Sequence, residues 1–232
     1  MSEQGGDPID KDSPSGAARD ARNRQLAQEA LARRLGQQPE WERIAVGELE
    51  ARLRARGVDA NPMGIPVETA DELVTEWERL IGLYPVAARL WKSIGPDVGF
   101  GRLGARKWLG YHAGQMLWHP GHMTRPTSQL REIAAASVAT GAHPDGCGTL
   151  AAVACHEFGH LVEDAVGLSL GREGSEALRA ALVGCSMGAY AEGRPDECFA
   201  VAFPAMHHGR SLGAGAQMAV STLVAALRAA GM

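Results

Sequence analysis

Apolar residues recur at helical spacing along most of this chain and alternate at strand spacing in only one short stretch. Leu26, Ala30, Leu31 and Leu35 share a face of a helix running from about Arg24 to Arg34. Trp41, Ile44, Leu49 and Leu53 predict a second helix that ends near Gly57. The Pro- and Gly-bearing stretch Asn61 to Pro66 reads as a linker, after which Thr69 or Ala70 opens a helix through Leu80. Lys107–His112 and Gln115–His119 flank Ala113-Gly114, the pattern of a β-hairpin with a two-residue turn. Further helices are expected over Ser128–Ser137, from Thr149 to a C-cap at Gly167, from Gly174-Ser175 toward Met187, from Pro195-Asp196 onward, and over Gly213–Ala230. Many helices and one small sheet make the expected fold class α+β.

This pattern divides the chain into three parts. Residues 1–22 are rich in Gly, Asp, Ser and Pro with no apolar run, and are expected to be a disordered tail. Residues 23–66 read as a helical adaptor with its linker, docking either on the main domain or on a structural or host protein partner. Residues 67–232 read as the main domain.

Composition narrows the function classes. Of 232 residues 45% are hydrophobic but only 5% aromatic, so the core rests on Ala, Leu and Val, which favours helices. Residues 1–100 carry 13 basic and 17 acidic side chains and residues 101–232 carry 10 of each, so no basic surface supports nucleic-acid binding. No stretch reaches the roughly 18 apolar residues of a membrane span, and the first residues lack a signal peptide's apolar core, which points to the cytoplasm or a virion. Cys147, Cys155, Cys185 and Cys198 contain no C-x-x-C pair and read as reduced thiols, with Cys147, in a turn, expected to be the most accessible.

The strongest chemical signal is His156-Glu157-Phe158-Gly159-His160. Positions i and i+4 lie one turn apart on a helix face, so both imidazoles can bind one Zn2+ while Glu157 reaches the metal-bound water. Random placement of the chain's residues would give this five-residue pattern about 0.02 times, which makes it suggestive by itself. A zinc hydrolase needs a third protein ligand and an open fourth position. Glu163 and Val166 stand where a nearby Gly and third His would complete one known version, so a distant carboxylate is the natural third ligand. Glu197, expected in the first turn of a helix opened by Pro195-Asp196, is one such carboxylate; His207-His208, after Pro204 in an expected loop, is the rival source. His112, His119, His122 and His143 read as surface or loop residues.

HEFGH followed by Tyr190, Glu197 seven residues later and Phe199-Ala200-x-x-Phe203 resembles the lethal-factor-like gluzincins, including peptidase-like domains of phage minor head proteins and bacterial toxins. Leu90–Gly95 and Gly141–Thr149 resemble the family's opening segment and its His-Pro-x-Gly-x-Gly-[ST] turn, extending the similarity over roughly residues 73 to 205. The resemblance implies a zincin-like fold over residues 67–232, one Zn2+ per chain held by His156, His160 and Glu197, Glu157 as general base, and Tyr190 as oxyanion donor. It implies an endopeptidase acting on a peptide or protein substrate. Val201 stands where relatives often carry an acid, which keeps a second reading open: a virion or secretion-particle protein that retains the fold without turnover. Such domains also need an edge strand along the substrate; Gln115–His119 can serve as that edge or belong to a small sheet that only covers the helices, and the sequence leaves both open.

Overall fold

The computed structural model describes residues 14–98, 108–183, 189–191 and 194–208, with 217, 218, 220–222 and 225. It is α+β, mostly helical with one small sheet. The helices are α1 (Pro14–Gln37), α2 (Glu40–Arg54), α3 (Val67–Leu83), α4 (Pro85–Leu90), α5 (Pro120–Met123), α6 (Thr127–Ala139), α7 (Leu150–Val183) and α8 (Pro195–His207). The strands are β1 (Asp59–Ala60), β2 (Ser93–Pro96), β3 (Leu109–His112) and β4 (Gln115–Trp118). No helix among the described residues is long and apolar enough to cross a membrane.

The N-terminal third departs from expectation. Helix α1 begins at Pro14, a residue suited to the first helical position, so residues 14–22 of the expected tail are helical; residues 1–13 lie outside the described residues. On α2 the buried stripe is Glu42, Val46, Leu49 and Leu53, while Trp41 and Ile44 are 64% and 58% exposed. Spacings of four, three and four keep that stripe on one face at 3.6 residues per turn. Glu42 can be buried because Arg34 pairs with it and the Val67 N–H donates to its carboxylate at 3.2 Å.

The expected linker is part of the core. Ile65 is buried, the Asn61 N–H donates to the Ile94 carbonyl at 2.8 Å, and the Asn61 carbonyl accepts from the Trp118 indole at 3.1 Å. Leu49, Leu53, Val58, Ala60 and Ile65 join the same apolar cluster as Trp77, Phe158 and Phe203. Residues 23–66 therefore pack on the main domain, the first of the two docking arrangements the sequence leaves open.

The sheet order is β1-β2-β4-β3, with β1 and β4 parallel to β2 and β3 antiparallel to β4. The hairpin forms where the alternation predicts it. Its turn places Ala113 at φ 49° and Gly114 at φ 85°, and a Cβ on Gly114 would lie 2.4 Å from the Leu90 carbonyl. The second arm, β4, is interior, because β2 pairs with it from Ser93↔Gln115 to Pro96↔Trp118. Among the described residues the edges of the sheet are β1 and, in this hairpin, the first arm β3.

Helix α7 is the spine of the fold. Phe158, Leu161, Val162, Ala165 and Val166 are all buried, and the helix runs through Gly167 and Gly174 to Val183 without the expected cap or restart. A helix-interior glycine costs only about 1 kcal/mol, which the burial of Leu161, Val162, Ala165 and Val166 in the turns before Gly167 outweighs. Helix α8 packs along α7 with Phe199, Ala200 and Phe203 buried, and it continues through Pro204 to His207, where the sequence predicts a loop. The expected helices over Gly174–Met187 and Gly213–Ala230 fall partly outside the described residues.

Candidate metal centre

The two segments that spacing singles out meet in space. Helix α7 presents His156 and His160 one turn apart, their rings 5.1 Å between centroids. Pro195 starts α8, which sets Glu197 in the first turn, where the helix dipole favours a carboxylate. Glu197 Oε2 lies 3.2 Å from His156 Nε2 and 3.4 Å from His160 Nε2. Ligands bound at about 2.0–2.2 Å to one tetrahedral cation are separated by about 3.3–3.6 Å, so all three donor atoms fit a single ion. Glu197 is buried; burial alone would raise its pKa, but hydrogen bonds and charge attraction from both histidines hold it well below the usual carboxylate range. His160 is pushed the other way, burial being outweighed by Glu197, Glu157 and Glu163.

Glu157 is 6% exposed, and its Oε2 is sealed from solvent without a hydrogen-bond partner among the described residues. A buried carboxylate oxygen left in this way fits one that meets a water or substrate group. Tyr190 donates its hydroxyl to Glu197 Oε1 at 3.2 Å, and its ring lies edge-on to His156 with centroids 6.0 Å apart. Burial, then Glu197 and Glu157, push the phenol above its ordinary pKa and keep it a donor. All five residues singled out from the sequence thus converge.

Two further residues belong to the site. His143 stacks on Tyr190 at 4.6 Å and meets His156 edge-on at 6.4 Å. Backbone bonds from Tyr190 N–H to the Ala142 carbonyl (2.8 Å) and from Ala189 N–H to the Gly141 carbonyl (3.0 Å) tie the Tyr190 turn to the His143 turn. Burial, with His156 nearby, lowers the His143 pKa to about 4, so the ring is neutral. The sequence places His143 in a loop without a partner; its position just before the site helix is the signal that could have found it. On the other side Tyr111, on the edge strand β3, stacks nearly parallel on His160 at 6.1 Å and donates its hydroxyl to Asp164 Oδ2. That contact fastens the edge strand beside the face of α7 that carries His156 and His160.

The rival ligand source is elsewhere. His207 Nε2 pairs with the Tyr84 hydroxyl at 2.8 Å, and His208 faces Glu76. His119 and His122 meet with tilted rings, 4.8 Å between centroids, around α5, where His119 Nδ1 accepts from the Gly121 N–H. Val201 is buried and apolar, so no acid stands there, whereas Glu163, one turn beyond His160, is a buried carboxylate. Cys147, expected to be accessible, is buried with its thiol 3.8 Å from the Val201 carbonyl. Cys185 lies outside the described residues. No protein-family model, curated protein or solved structure matches this chain.

Proposed function

We propose that the chain is a zinc-dependent endopeptidase with a zincin-like fold, similar to the lethal-factor-like gluzincins of phage particles and toxins. The observation that carries this reading is the approach of one Glu197 oxygen to both His156 Nε2 and His160 Nε2, at 3.2 Å and 3.4 Å. Two imidazoles and a carboxylate are the donor set of a catalytic zinc site with one position open. When bound, zinc acidifies a water toward a pKa of about 7 and polarises the scissile carbonyl.

The chain's own residues supply the rest. Glu157 takes the proton of the attacking water and returns it to the leaving amine. Tyr190 offers its O–H to the carbonyl oxygen as negative charge develops there. His143 braces the Tyr190 ring by stacking, and Tyr111 holds β3 where an extended peptide can pair with it. The second reading, a virion or secretion-particle protein without turnover, rests on Val201, which offers no carboxylate to orient a ligand. The sealed Oε2 of Glu157 favours the enzyme, because a metal staple has no use for a base.

Zinc content by mass spectrometry and hydrolysis of a peptide library separate these readings. His156→Ala and Glu197→Ala should each lower zinc by about one ion per chain. Glu157→Gln should keep the metal and lose at least about 100-fold in peptide hydrolysis. Unchanged zinc in both ligand variants would remove the centre, and wild-type hydrolysis in Glu157→Gln would remove the base.

A further inference from the structure

A second cluster of ligand-type side chains lies beside Cys155, which the peptidase reading does not use. Glu76 of α3, Cys155 of α7 and His208 at the end of α8 bring a carboxylate oxygen, a thiol sulfur and an imidazole nitrogen all within 4.8 Å of one another. Cys155 is fully buried, Glu76 is 6% exposed, and His208 Nε2 is sealed from solvent without a hydrogen-bond partner among the described residues. His208 Nε2 lies 3.5 Å from Glu76 Oε1, beyond the roughly 2.7–3.2 Å of an N–H···O hydrogen bond but matched to the edge of a tetrahedral metal site. Glu197 approaches its two histidines somewhat more closely, at 3.2 Å and 3.4 Å.

Glu76 is also oriented as a ligand carboxylate is. Arg79 grips both its oxygens, Nε to Oε2 at 2.9 Å and Nη2 to Oε1 at 2.6 Å. Carboxylates that bind metals are typically fixed by such a partner, and each oxygen keeps a further lone pair. A thiolate, an imidazole and a carboxylate together suit zinc better than the hard cations magnesium and calcium, which prefer oxygen.

We propose that Glu76, Cys155 and His208 form a second, structural zinc site. It goes beyond the peptidase reading and does not depend on it. The site joins three helices: α3, the spine α7 at the residue before His156, and the C-terminal end of α8, whose first turn carries Glu197. His208, the C-cap of α8, lies eleven positions beyond Glu197, about 16 Å at the helical rise, so α8 is pinned to α7 at both ends. The outer pin then sets where α8 presents its ligand to the inner one.

The test is metal content of the full chain, with zinc and separately with cobalt as the added ion. Wild-type protein should hold about two zinc ions per chain, and Cys155→Ser and His208→Ala should each hold about one. His156→Ala should also hold about one, and when loaded with cobalt it should show a thiolate-to-cobalt charge-transfer band that a His156→Ala/Cys155→Ser double variant lacks. His208→Ala, at the partly exposed end of the cluster, serves if Cys155→Ser does not fold. About one zinc per chain in wild type, unchanged in Cys155→Ser and His208→Ala, with no charge-transfer band, would mean that Arg79, Glu76 and His208 are only an ion-pair cluster and would overturn the site. That outcome leaves the peptidase reading intact, since zinc lost in His156→Ala reports on the other centre alone.

Discussion

Cys147 is held in a place where its chemistry is suppressed. It is buried below the turn that precedes α7, donates toward the Val201 carbonyl, and burial pushes its thiol pKa up to about 12. In the unfolded chain the thiol ionises near its ordinary value of about 8.5, so above that pH the unfolded state binds fewer protons than the native one. The thiol's contribution to stability is therefore complete below about pH 8.5 and is lost as pH rises toward about 12. Alkylation at pH 8, mapped by mass spectrometry, should label Cys147 at least about 10-fold more slowly in native than in denatured protein. Equal rates would place the thiol at the surface. The residues legible from sequence are those whose partners lie at fixed helical spacing, as with His156 and His160, or in a motif with its own spacing, as with Tyr190 and Glu197. His143 and Tyr111 are not, because ring stacking between elements leaves no periodic trace.

Between elements, α7 meets α8 directly in the site region. A Cβ on Gly159 would lie 3.1 Å from the Ala200 Cα and 3.1 Å from the Phe203 Cβ, so the glycine inside the His-Glu-Phe-Gly-His run lets the two helices touch. Gly159→Ala gains about 1 kcal/mol of helix propensity but overpacks a contact with backbone, at a cost of about 1–3 kcal/mol. The net expectation is lower stability. It should come with weaker zinc binding, because pushing α8 away carries Glu197 from His156 and His160. A metal-dependent thermal melt reads both; unchanged melting temperature and zinc affinity in the Gly159→Ala variant would show that the helices separate freely. Helix boundaries are harder to read than helix identity. Gly167 and Pro204 are ordinary stop signals, and each is overridden by buried apolar neighbours, which local sequence does not report.

Across the whole molecule, the division at residue 66 does not separate two bodies. Strand β1 pairs with β2, and Leu49, Leu53, Val58 and Ile65 are buried in the common cluster. At about 1.5–3 kcal/mol for each large buried side chain, these four alone contribute about 6–12 kcal/mol, comparable with the entire stability of a typical domain. A fragment of residues 67–232 should therefore lack a cooperative thermal transition by circular dichroism, whereas the full chain has one. A fragment that melts like the full chain would restore the independent adaptor. The misreading comes from Asn61-Pro62-Met63-Gly64-Ile65-Pro66, whose composition is that of a linker but whose Ile65 and backbone are occupied by tertiary partners.

The edge strand is four residues long, and its pairing with β4 uses one side of the backbone. Successive residues turn their N–H and C=O groups to opposite sides of a strand, so only about two residues of β3 can offer theirs to an incoming chain. A peptide laid there gains at most about four backbone hydrogen bonds, a short grip that reads no sequence. Under the proposed endopeptidase reading, selectivity would then fall to the few side chains flanking the cut, so the chain should cleave short, strict motifs and cut generic unfolded protein slowly.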